Sequence, residues 1–366
     1  MKIVGGKVFG SDHQMQDKQL CFEKGIITQT SAEGVYDATG CYVLPGLIDT
    51  HIHGARGIGF YWSKENPKPA LDWLTQQGVT GILPTTCSET PEELEADIRR
   101  LAEFPDDRIL GIHAEGPFIN PANRGGMREN RIQLPDVDTL QRMYDASGGK
   151  LKILTLAPEM EGADTLIDRC LELGIQVSMG HTSATYDCAK NAVNHGATRM
   201  THTFNGMRGF NHREPGVLGC GLEDHRVMCE LICDLYHVSA TAIRLAIQCK
   251  GCENITMISD GSRFSGVGDG EYFQEDRMLY VKNGLCTLAD GTISGSSRCL
   301  SDGAQNLFRL GYTPAQIAVM AAVNPAKACG CRDRGELIPG YRADIVVFDE
   351  DFRVKAVFLK GQQVVG

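Results

Sequence analysis

The sequence predicts an α/β protein: a (β/α)8 barrel of the TIM type with a small β-sandwich built from both chain ends. Three observations support this. Apolar, strand-like runs alternate with helical stretches through the middle of the chain, short turn-rich strands occupy both ends, and residues able to bind metal follow several of the apolar runs. A parallel barrel exposes the carboxyl ends of its strands on one face, so residues far apart in sequence can meet there.

The chain ends are predicted to form one discontinuous β-sandwich domain, residues 1–44 plus 335–366, with the barrel at residues 45–334. Residues 2–9, 19–28 and 34–38 have the composition of short strands separated by Gly, Asp and Ser. Residues 343–348 and 354–365 have the same composition and are punctuated by Gly340 and Gly361. The similarity of the two ends is the reason to expect that they pair.

The barrel strands are expected at residues 42–53, 81–86, 109–115, 151–157, 175–181, 199–202, 228–234 and 255–260. Pro91, followed by two glutamates, predicts a helix start. Helices are also expected to begin at Pro135 and Glu161, and residues 182–185 could cap another. After the eighth strand, residues 261–295 are Gly-rich and strand-like, and helices follow to about residue 329.

Bulk composition is that of an ordinary globular enzyme. The chain has 366 residues, 42% hydrophobic and 22% charged, and a formal net charge of −10. This charge disfavours nucleic acid and acidic membrane surfaces as partners, although a local pocket can still bind an anion. Signal-peptide and membrane-span patterns are not evident, so a cytoplasmic location is expected. The 14 cysteines are expected to be reduced, and Cys249 and Cys252 are interpreted as unpaired thiols at a helix end.

Metal-ligand residues follow the predicted strands. His51 and His53 are two residues apart, so an extended strand places both imidazoles on one side. Glu115, His181 and His202 end three further strands, and the glutamate could bridge two cations. Imidazole and carboxylate ligands suit zinc, and also iron, manganese, cobalt or nickel. The pattern predicts one or two divalent transition-metal ions, with zinc preferred.

Asp260 ends the eighth predicted strand. A carboxylate beside a bound metal can act as a general base toward water. Asp260 is therefore the predicted catalytic residue.

Several segments together resemble one enzyme family. They are HAEGPF (113–118), MGHTSA (179–184), THTFNGM (201–207), HREPGVLG (212–219), the segment around Asp260 and the more widely shared PGLIDTHIHG (45–54). The chain is similar in these motifs to the N-acetylglucosamine-6-phosphate deacetylases of the amidohydrolase superfamily, over nearly its whole length. The resemblance implies a metal-dependent barrel with a β-sandwich, a homodimer, and release of acetate from a phosphorylated amino sugar.

The resemblance also implies roles for individual residues. His51, His53 and Glu115 would hold one ion, and Glu115, His181 and His202 the other, with Asp260 as acid and base. Asn205 and Gly206 would contact the sugar. Arg213 and His237 would bind the phosphate, with a subunit interface as one place for that contact. Ile293, Ser294 and Gly295 would line the acetyl side.

One position departs from the family pattern. The family carries a substrate-contacting histidine 12 residues after the bridging glutamate, and this chain has Met127 there. A thioether offers no N–H to a developing oxyanion. Either the metals polarise the carbonyl more strongly, Arg124 or Arg128 substitutes, or the substrate differs.

Two alternatives remain open at this point. The first is another amidohydrolase activity on a different acylated amino sugar or amide, such as a cyclic amidase or deaminase. Cyclic amidases of the superfamily commonly carry a carboxylated lysine at the fourth strand end, whereas Lys152 lies near that strand's start. The second is a non-catalytic sugar-phosphate binding protein, which the intact ligand set and Asp260 disfavour.

Overall fold

A computed structural model describes residues 1–30, 34–274 and 276–366 of the chain. Residues 31–33 fall within the predicted N-terminal sandwich segment, and residue 275 falls within the predicted strand-like stretch after Asp260. These positions lie outside the described residues.

The centre of the fold is a parallel barrel, which confirms the predicted fold class. Within residues 1–30, 34–274 and 276–366, eight strands follow one another around it in chain order. They are Leu47–Ile52, Val79–Thr86, Ile112–Glu115, Leu151–Leu156, Gln176–Met179, Arg199–Met200, Met228–Ile232 and Ile255–Ile258. All neighbouring pairs are parallel. Their carboxyl ends therefore share one face.

Backbone hydrogen bonds close the barrel at its first and last strands. The His53 N–H donates to the Gly261 carbonyl at 2.7 Å, and the Asp260 N–H donates to the His51 carbonyl at 3.0 Å. This closure brings the His-x-His segment beside Asp260, although more than 200 residues separate them in sequence.

Helices follow the barrel strands and cover them. Their bounds are Lys68–Gln76, Pro91–Glu103, Val137–Ala146, Ala163–Glu172, Tyr186–His195, Gly216–Glu223, Ala240–Lys250, Leu300–Arg309, Pro314–Ala318 and Asn324–Ala328. A π-helical segment, Val319–Val323, joins the last two, and short 3₁₀ turns occur at Pro121–Asn123, Glu129–Arg131 and Cys252–Asn254.

Local capping explains where the predicted helices begin. The helix predicted at Pro91 begins there, because Thr90 and Glu93 form a reciprocal capping box. The helices predicted from Pro135 and Glu161 begin two residues later. Asp136 caps the first by accepting the Thr139 N–H, and the second begins after Gly162, whose φ is +89°. Of residues 182–185, Thr185 is the cap.

The chain ends form two packed sheets, of which the second combines strands from both ends. In the described part of the chain, a four-stranded sheet has the order Ile26–Thr28, Leu20–Glu23, Lys2–Val4, Val35–Asp37. A six-stranded sheet has the order Gln362–Val365, Val354–Leu359, Ile345–Phe348, Tyr42–Pro45, Lys7–Phe9, Met15–Asp17. Phe358 of the second sheet contacts Phe22 and Tyr36 of the first, edge to face. The sandwich joins the termini as expected; the bounds 1–44 plus 335–366 stay a prediction.

The run predicted as one strand over residues 42–53 divides at Gly46. Tyr42–Pro45 pairs in the sandwich, and Leu47–Ile52 opens the barrel. A Cβ at Gly46 would lie 2.1 Å from Thr80 Oγ1, so only glycine fits at this crossing. The run at residues 19–28 likewise folds into a hairpin around Lys24 and Gly25. Apolar periodicity alone does not reveal these breaks.

The stretch after Asp260 forms a sheet of its own, hereafter the insert sheet. Its strands are Gly270–Gln274, Arg277–Lys282, Leu285–Leu288 and Ile293–Ser296, which pair antiparallel in this order. Phe264, Leu279, Val281 and Cys286 form a small separate core. Ser296 bridges back to Gly261, which attaches the insert sheet to the rim of the barrel. A two-stranded ribbon, Gly54–Ala55 with Ile58–Gly59, lies after the first barrel strand.

Among the described residues, none of the helices combines the length and apolar character needed to cross a membrane. The cysteines are free thiols, and Cys249 and Cys252 lie at and just beyond the end of the helix Ala240–Lys250.

Candidate metal centre and substrate pocket

The predicted ligands gather at the carboxyl face of the barrel. His51 lies on the first strand with His53 just after it, and Glu115 ends the third strand. His181, His202 and Asp260 follow the fifth, sixth and eighth strands with φ angles of +47°, +28° and +48°. Left-handed backbone is costly for residues other than glycine and is commonly found at functional sites. Here it turns three side chains inward as their strands end.

The ligand atoms form two neighbouring groups, and Glu115 contacts the histidines of both. Within each group, His51–His53–Asp260 and Glu115–His181–His202, the ligand atoms lie within 4.8 Å of one another. Glu115 Oε2 is 3.2 Å from His53 Nε2, and Oε1 is 3.4 Å from His51 Nε2. Oε1 is also 3.0 Å from His181 Nε2 and 2.9 Å from His202 Nε2. The glutamate therefore lies between two histidine pairs, as a bridging ligand would.

The opposite ring nitrogens set the tautomers. Nδ1 of His53 and of His181 lies 3.2 Å and 2.7 Å from the carbonyl oxygens of Thr85 and Asn123. A carbonyl can only accept, so each Nδ1 carries the proton. Nδ1 of His51 donates in the same way to the Glu230 carboxylate at 3.1 Å. Neutral rings of this kind present the Nε2 lone pair to the cluster, which is the form that binds metal.

The same geometry fits a cation in the cluster. Nε2 atoms of His181 and His202 face each other at 3.0 Å, and those of His51 and His53 at 3.3 Å. Two lone pairs this close repel unless a positive charge lies between them. Ligands about 2.0–2.1 Å from a tetrahedral zinc ion would be separated by roughly 3.3 Å. The donor set, the tautomers and the spacing therefore agree with a transition metal.

The electrostatics of the cluster also favour positive charge. Burial would raise the pKa of Glu115, but the adjacent His51, His181 and His202 rings hold it well below its ordinary value. Burial would lower the pKa of His51, yet Glu115 and Glu230 raise it to about 10. In this arrangement protons balance the carboxylates, and a bound cation can replace them.

Asp260 is a carboxylate beside the cluster. Its Oδ1 is 3.3 Å from His53 Nε2 and 3.7 Å from His51 Nε2. Burial would raise the pKa of Asp260, but the hydrogen bond from His53 and the charge on His51 hold it below its usual range. An ionised oxygen next to the cluster can accept a proton, as a general base must.

A buried polar layer supports the ligands from below. His113 Nδ1 donates to the Thr50 carbonyl at 3.1 Å, and its Nε2 accepts from Thr155 Oγ1 at 2.8 Å. Burial, and then the charge on His51, lower the pKa of His113 to about 3, so this ring is neutral. Glu230 contacts both His51 and the buried Arg199, at 3.1 and 3.2 Å.

A cavity of about 310 Å³ opens above the ligands. Its walls come from loops after the barrel strands and from the insert sheet. The lining residues are His53, Tyr61, Trp62, Cys87, Ser88, Glu115, Arg124, Gly125, Gly126, Met127, His181, His202, Asn205, Gly206, His237, Asp260, Ser262, Arg277, Thr292, Ile293, Ser294 and Gly295. The volume is within the range of small-molecule sites.

All but one of the predicted substrate residues line the cavity. Met127, Asn205, Gly206, His237, Ile293, Ser294 and Gly295 all line the cavity. Arg213 lies instead on an exposed loop, outside the cavity wall of its own chain. The structure thus brings together every predicted substrate residue except this arginine.

The surroundings of Met127 distinguish the two candidate substitutes. Ser88 Oγ donates to Met127 Sδ at 3.2 Å, and Arg124 lines the cavity. Arg128 forms an ion pair with Asp276 and lies over the Trp62 ring, 5.5 Å from its centroid. Arg124 is therefore the better placed of the two.

Other cavity and support residues were not singled out from the sequence. Cys87 and Ser88 directly follow the second strand, and Asp234 follows the seventh, so the strand-end rule could have found them. Glu230 is a charged residue inside an apolar strand, which is also a visible signal. Arg277 reaches the cavity from the insert sheet and donates to the Gly126 carbonyl at 2.8 Å. Nothing in its local sequence indicates this.

Comparison with known proteins agrees with this site. A profile of the Amidohydrolase family matches residues 42–364. N-acetylgalactosamine-6-phosphate deacetylase of Escherichia coli O157:H7 is 31% identical, covering 95% of each chain. N-acetylglucosamine-6-phosphate deacetylase of Bacillus subtilis (strain 168) is 32% identical, covering 87% of this chain and 83% of the relative.

Solved structures give the same result. A mutant N-acetyl-D-glucosamine-6-phosphate deacetylase from Mycobacterium smegmatis, in complex with N-acetyl-D-glucosamine-6-phosphate, superposes with a TM-score of 0.94 at 30% identity, covering 100% of this chain and 99% of the other. The Thermotoga maritima N-acetylglucosamine-6-phosphate deacetylase gives 0.90 at 30% identity, with the same coverage. The chain therefore belongs to the amidohydrolase family, a family of metal-dependent hydrolases, and within it to the N-acetylglucosamine-6-phosphate deacetylases.

Proposed function

We propose that the chain hydrolyses the N-acetyl group of N-acetyl-D-glucosamine 6-phosphate, giving D-glucosamine 6-phosphate and acetate. One observation carries this proposal: histidine Nε2 atoms converge on Glu115 beside the Asp260 carboxylate, at the base of a cavity of about 310 Å³. The deacetylases named above support the proposal, because they share their fold and family with this chain.

We propose His51, His53, Glu115, His181 and His202 as the metal ligands, with zinc as the ion and room for one or two. When bound, the metal supplies positive charge that polarises the amide carbonyl and makes water more acidic. Glu115 and the Nδ1 partners of the rings hold the ligand atoms in place.

Asp260 would transfer the proton of the attacking water. Its Oδ1 accepts a proton as water adds to the acetyl carbon, and then donates it to the amine nitrogen as the C–N bond breaks. The same carboxyl group thus serves as base and then as acid. Burial opposes ionisation, but His53 and His51 hold the pKa of Asp260 below its ordinary value, which favours the ionised form that a base needs.

The remaining cavity residues would orient the substrate. Asn205 and Gly206 would contact the sugar, and Ile293, Ser294 and Gly295 would line the acetyl side; all five line the cavity. His237 Nε2 is buried and has no hydrogen-bond partner among the described residues, so the protonated ring can donate from it to the phosphate. These roles would bring the acetyl carbon over the metal cluster.

Arg213 is proposed to complete the phosphate site of a second copy in a homodimer. Its exposed position agrees with a role outside its own chain. Arginine suits this task because its paired N–H donors match phosphate. The homodimer and a cytoplasmic location remain predictions.

Which sugar epimer the chain hydrolyses is a second question. One similar enzyme is named for the galactosamine derivative, and Met127 lines the cavity at the position where the family has a histidine. Metal-loaded protein should be assayed for acetate release from the 6-phosphates of N-acetylglucosamine and N-acetylgalactosamine, from both free sugars, and from a cyclic amide. The proposal expects fastest turnover of the glucosamine derivative. Tight sugar-phosphate binding without acetate would instead indicate a binding protein, and turnover of the cyclic amide alone would indicate a different amidohydrolase.

A further inference from the structure

A buried aspartate lies directly behind the ring of His237. Asp234 Oδ2 is 2.7 Å from His237 Nδ1, and both side chains are almost fully buried, with exposed fractions of 4% and 3%. Asp234 follows the seventh barrel strand, and His237 is three residues further along the same loop. Asp234 is not among the residues that line the cavity, so its carboxylate does not itself contact a ligand there.

The Asp234 carboxylate is held on several sides. Its Oδ1 accepts the backbone N–H groups of Tyr236 and His237, each at 2.9 Å. Its Oδ2 accepts Ser296 Oγ–H at 3.0 Å in addition to the imidazole. Ser296 ends the insert sheet, directly after the cavity residue Gly295. Asp234 therefore connects the His237 loop with the wall of the cavity, and it has little freedom to rotate.

This arrangement determines what His237 presents to a ligand. Since a carboxylate only accepts, Nδ1 donates to Asp234 and Nε2 is the ring nitrogen left for a ligand. Because Nδ1 keeps its proton, Nε2 carries an N–H when the ring is in its protonated form. Nε2 is buried and has no partner within the described part of the chain. Burial would lower the pKa of His237, but Asp234 outweighs it and raises the pKa, with Asp260 adding to the effect. Arg124 and Arg277 are the other charged groups lining the same cavity away from the metal ligands.

We propose that Asp234 is a positioning residue for substrate selection: it fixes the His237 ring and supplies the negative charge that keeps an N–H at Nε2 for an anionic substrate group. The proposal rests on the proposed function, because it takes the substrate's phosphate as that anion. It goes beyond the proposed function because it assigns phosphate recognition to the pair Asp234 and His237, of which only the histidine contacts the ligand.

The test compares zinc-loaded wild type with Asp234→Asn, which keeps the shape but removes the charge. KM for the 6-phosphate should rise about tenfold or more in the variant, the value of one charge-assisted hydrogen bond. The kcat value, and KM for the free sugar, should stay within about twofold. The pH above which KM for the 6-phosphate begins to rise should move down by roughly one unit. An equal effect on both sugars, or none, overturns the proposal.

Two further variants separate a specific role from a structural one. In a His237→Asn background, Asp234→Asn should have little additional effect on KM, because the two residues act as a unit. Asp224→Asn removes another buried, ion-paired carboxylate, one that contacts Lys190 and Arg226 and does not line the cavity, and should leave KM unchanged. If Asp234→Asn fails to fold, Ser296→Ala provides the test, with a smaller rise in KM expected. Additive effects in the double variant overturn the proposal.

An NMR titration makes the result independent of the proposed substrate. The His237 ring signal, identified by its loss in His237→Asn, should titrate at lower pH in Asp234→Asn than in wild type. A shifted titration with equal KM values for both sugars in wild type would contradict phosphate recognition and leave the Asp234–His237 coupling intact. An unshifted titration overturns the coupling itself.

Discussion

Glu230 Oε2 lies 3.1 Å from His51 Nδ1, on the side of the ring that faces away from the other predicted ligands. Glu230 is fully buried within the seventh barrel strand and also contacts Arg199. Burial would raise the pKa of Glu230, but His51 and Arg199 lower it to about 2. The glutamate is therefore a buried anion that holds His51 in its metal-binding tautomer.

Replacing Glu230 by Gln should weaken metal binding by about 10–100-fold, the usual effect of removing such a supporting carboxylate. It should also destabilise the fold, because Arg199 loses its buried counterion; the expected loss is about 3–5 kcal/mol. Chelator competition and chemical denaturation would measure the two effects. Glu223→Gln, on an exposed helix end, is the matched control. Wild-type metal affinity in Glu230→Gln would contradict this role.

Removing the metal should abolish hydrolysis. Purified protein is expected to contain a transition metal by elemental analysis, with ligand distances of about 2.0–2.2 Å if it is zinc. Activity should be lost on dialysis against a chelator and should return when zinc is added. Full activity of metal-free protein would refute the assignment of these histidines and Glu115 as ligands.

Asp260→Asn should retain the metal and lose turnover. An amide has the shape of the carboxylate but cannot accept the proton, and a positioned acid–base group typically contributes about 10²–10⁴-fold. The measurement is kcat on the 6-phosphate, with metal content determined on the same sample. A variant with normal kcat and normal metal content would remove Asp260 from the mechanism.

Arg213→Ala should raise KM for the 6-phosphate by an order of magnitude or more and leave the free sugar unaffected, since about 1.5–3 kcal/mol is typical of a charged contact. Arg244→Ala, another exposed arginine, serves as the control. If Arg213 acts in the partner's site, mixing Arg213→Ala with Asp260→Asn subunits should restore activity. A mixed dimer contains one site with an intact Asp260 and an intact arginine. Failure of this complementation would place Arg213 elsewhere.

Met127→His should increase kcat on the 6-phosphate, because the cavity gains an N–H donor beside the metal cluster. One such donor is worth up to about 10²–10³-fold where it contacts an oxyanion, so a tenfold gain is a conservative expectation. Met127→Leu keeps an apolar side chain of similar size and should change little. A loss of activity in Met127→His would show that the cavity is adapted to methionine and to a different acyl group or sugar.

The site residues that could be predicted from the sequence are those whose position depends only on where a barrel strand ends. His51, His53, Glu115, His181, His202 and Asp260 each follow an apolar run, and barrel topology alone brings them together. Arg277 and Ser296 could not be placed in this way, because their contacts depend on how the insert sheet folds back over the barrel.

Strand breaks were equally hidden in the sequence. The division at Gly46 arises from a close approach to Thr80, a tertiary contact that apolar periodicity does not encode. Helix starts shifted by two residues where Asp136 and Gly162 provided the local geometry. Chemistry at strand ends was thus easier to predict than the exact course of the backbone.

The sandwich constrains the order in which the chain can fold during its synthesis. Tyr42–Pro45, which leads directly into the strand carrying His51, pairs on one side with Lys7–Phe9 and on the other with Ile345–Phe348. Its second neighbour therefore follows the whole barrel in the sequence. The barrel strands can pair as they emerge, but the second partner of Tyr42–Pro45 becomes available only after the whole barrel has been synthesised. A nascent chain stalled before residue 345 would expose an unpaired edge on the strand that leads into the barrel.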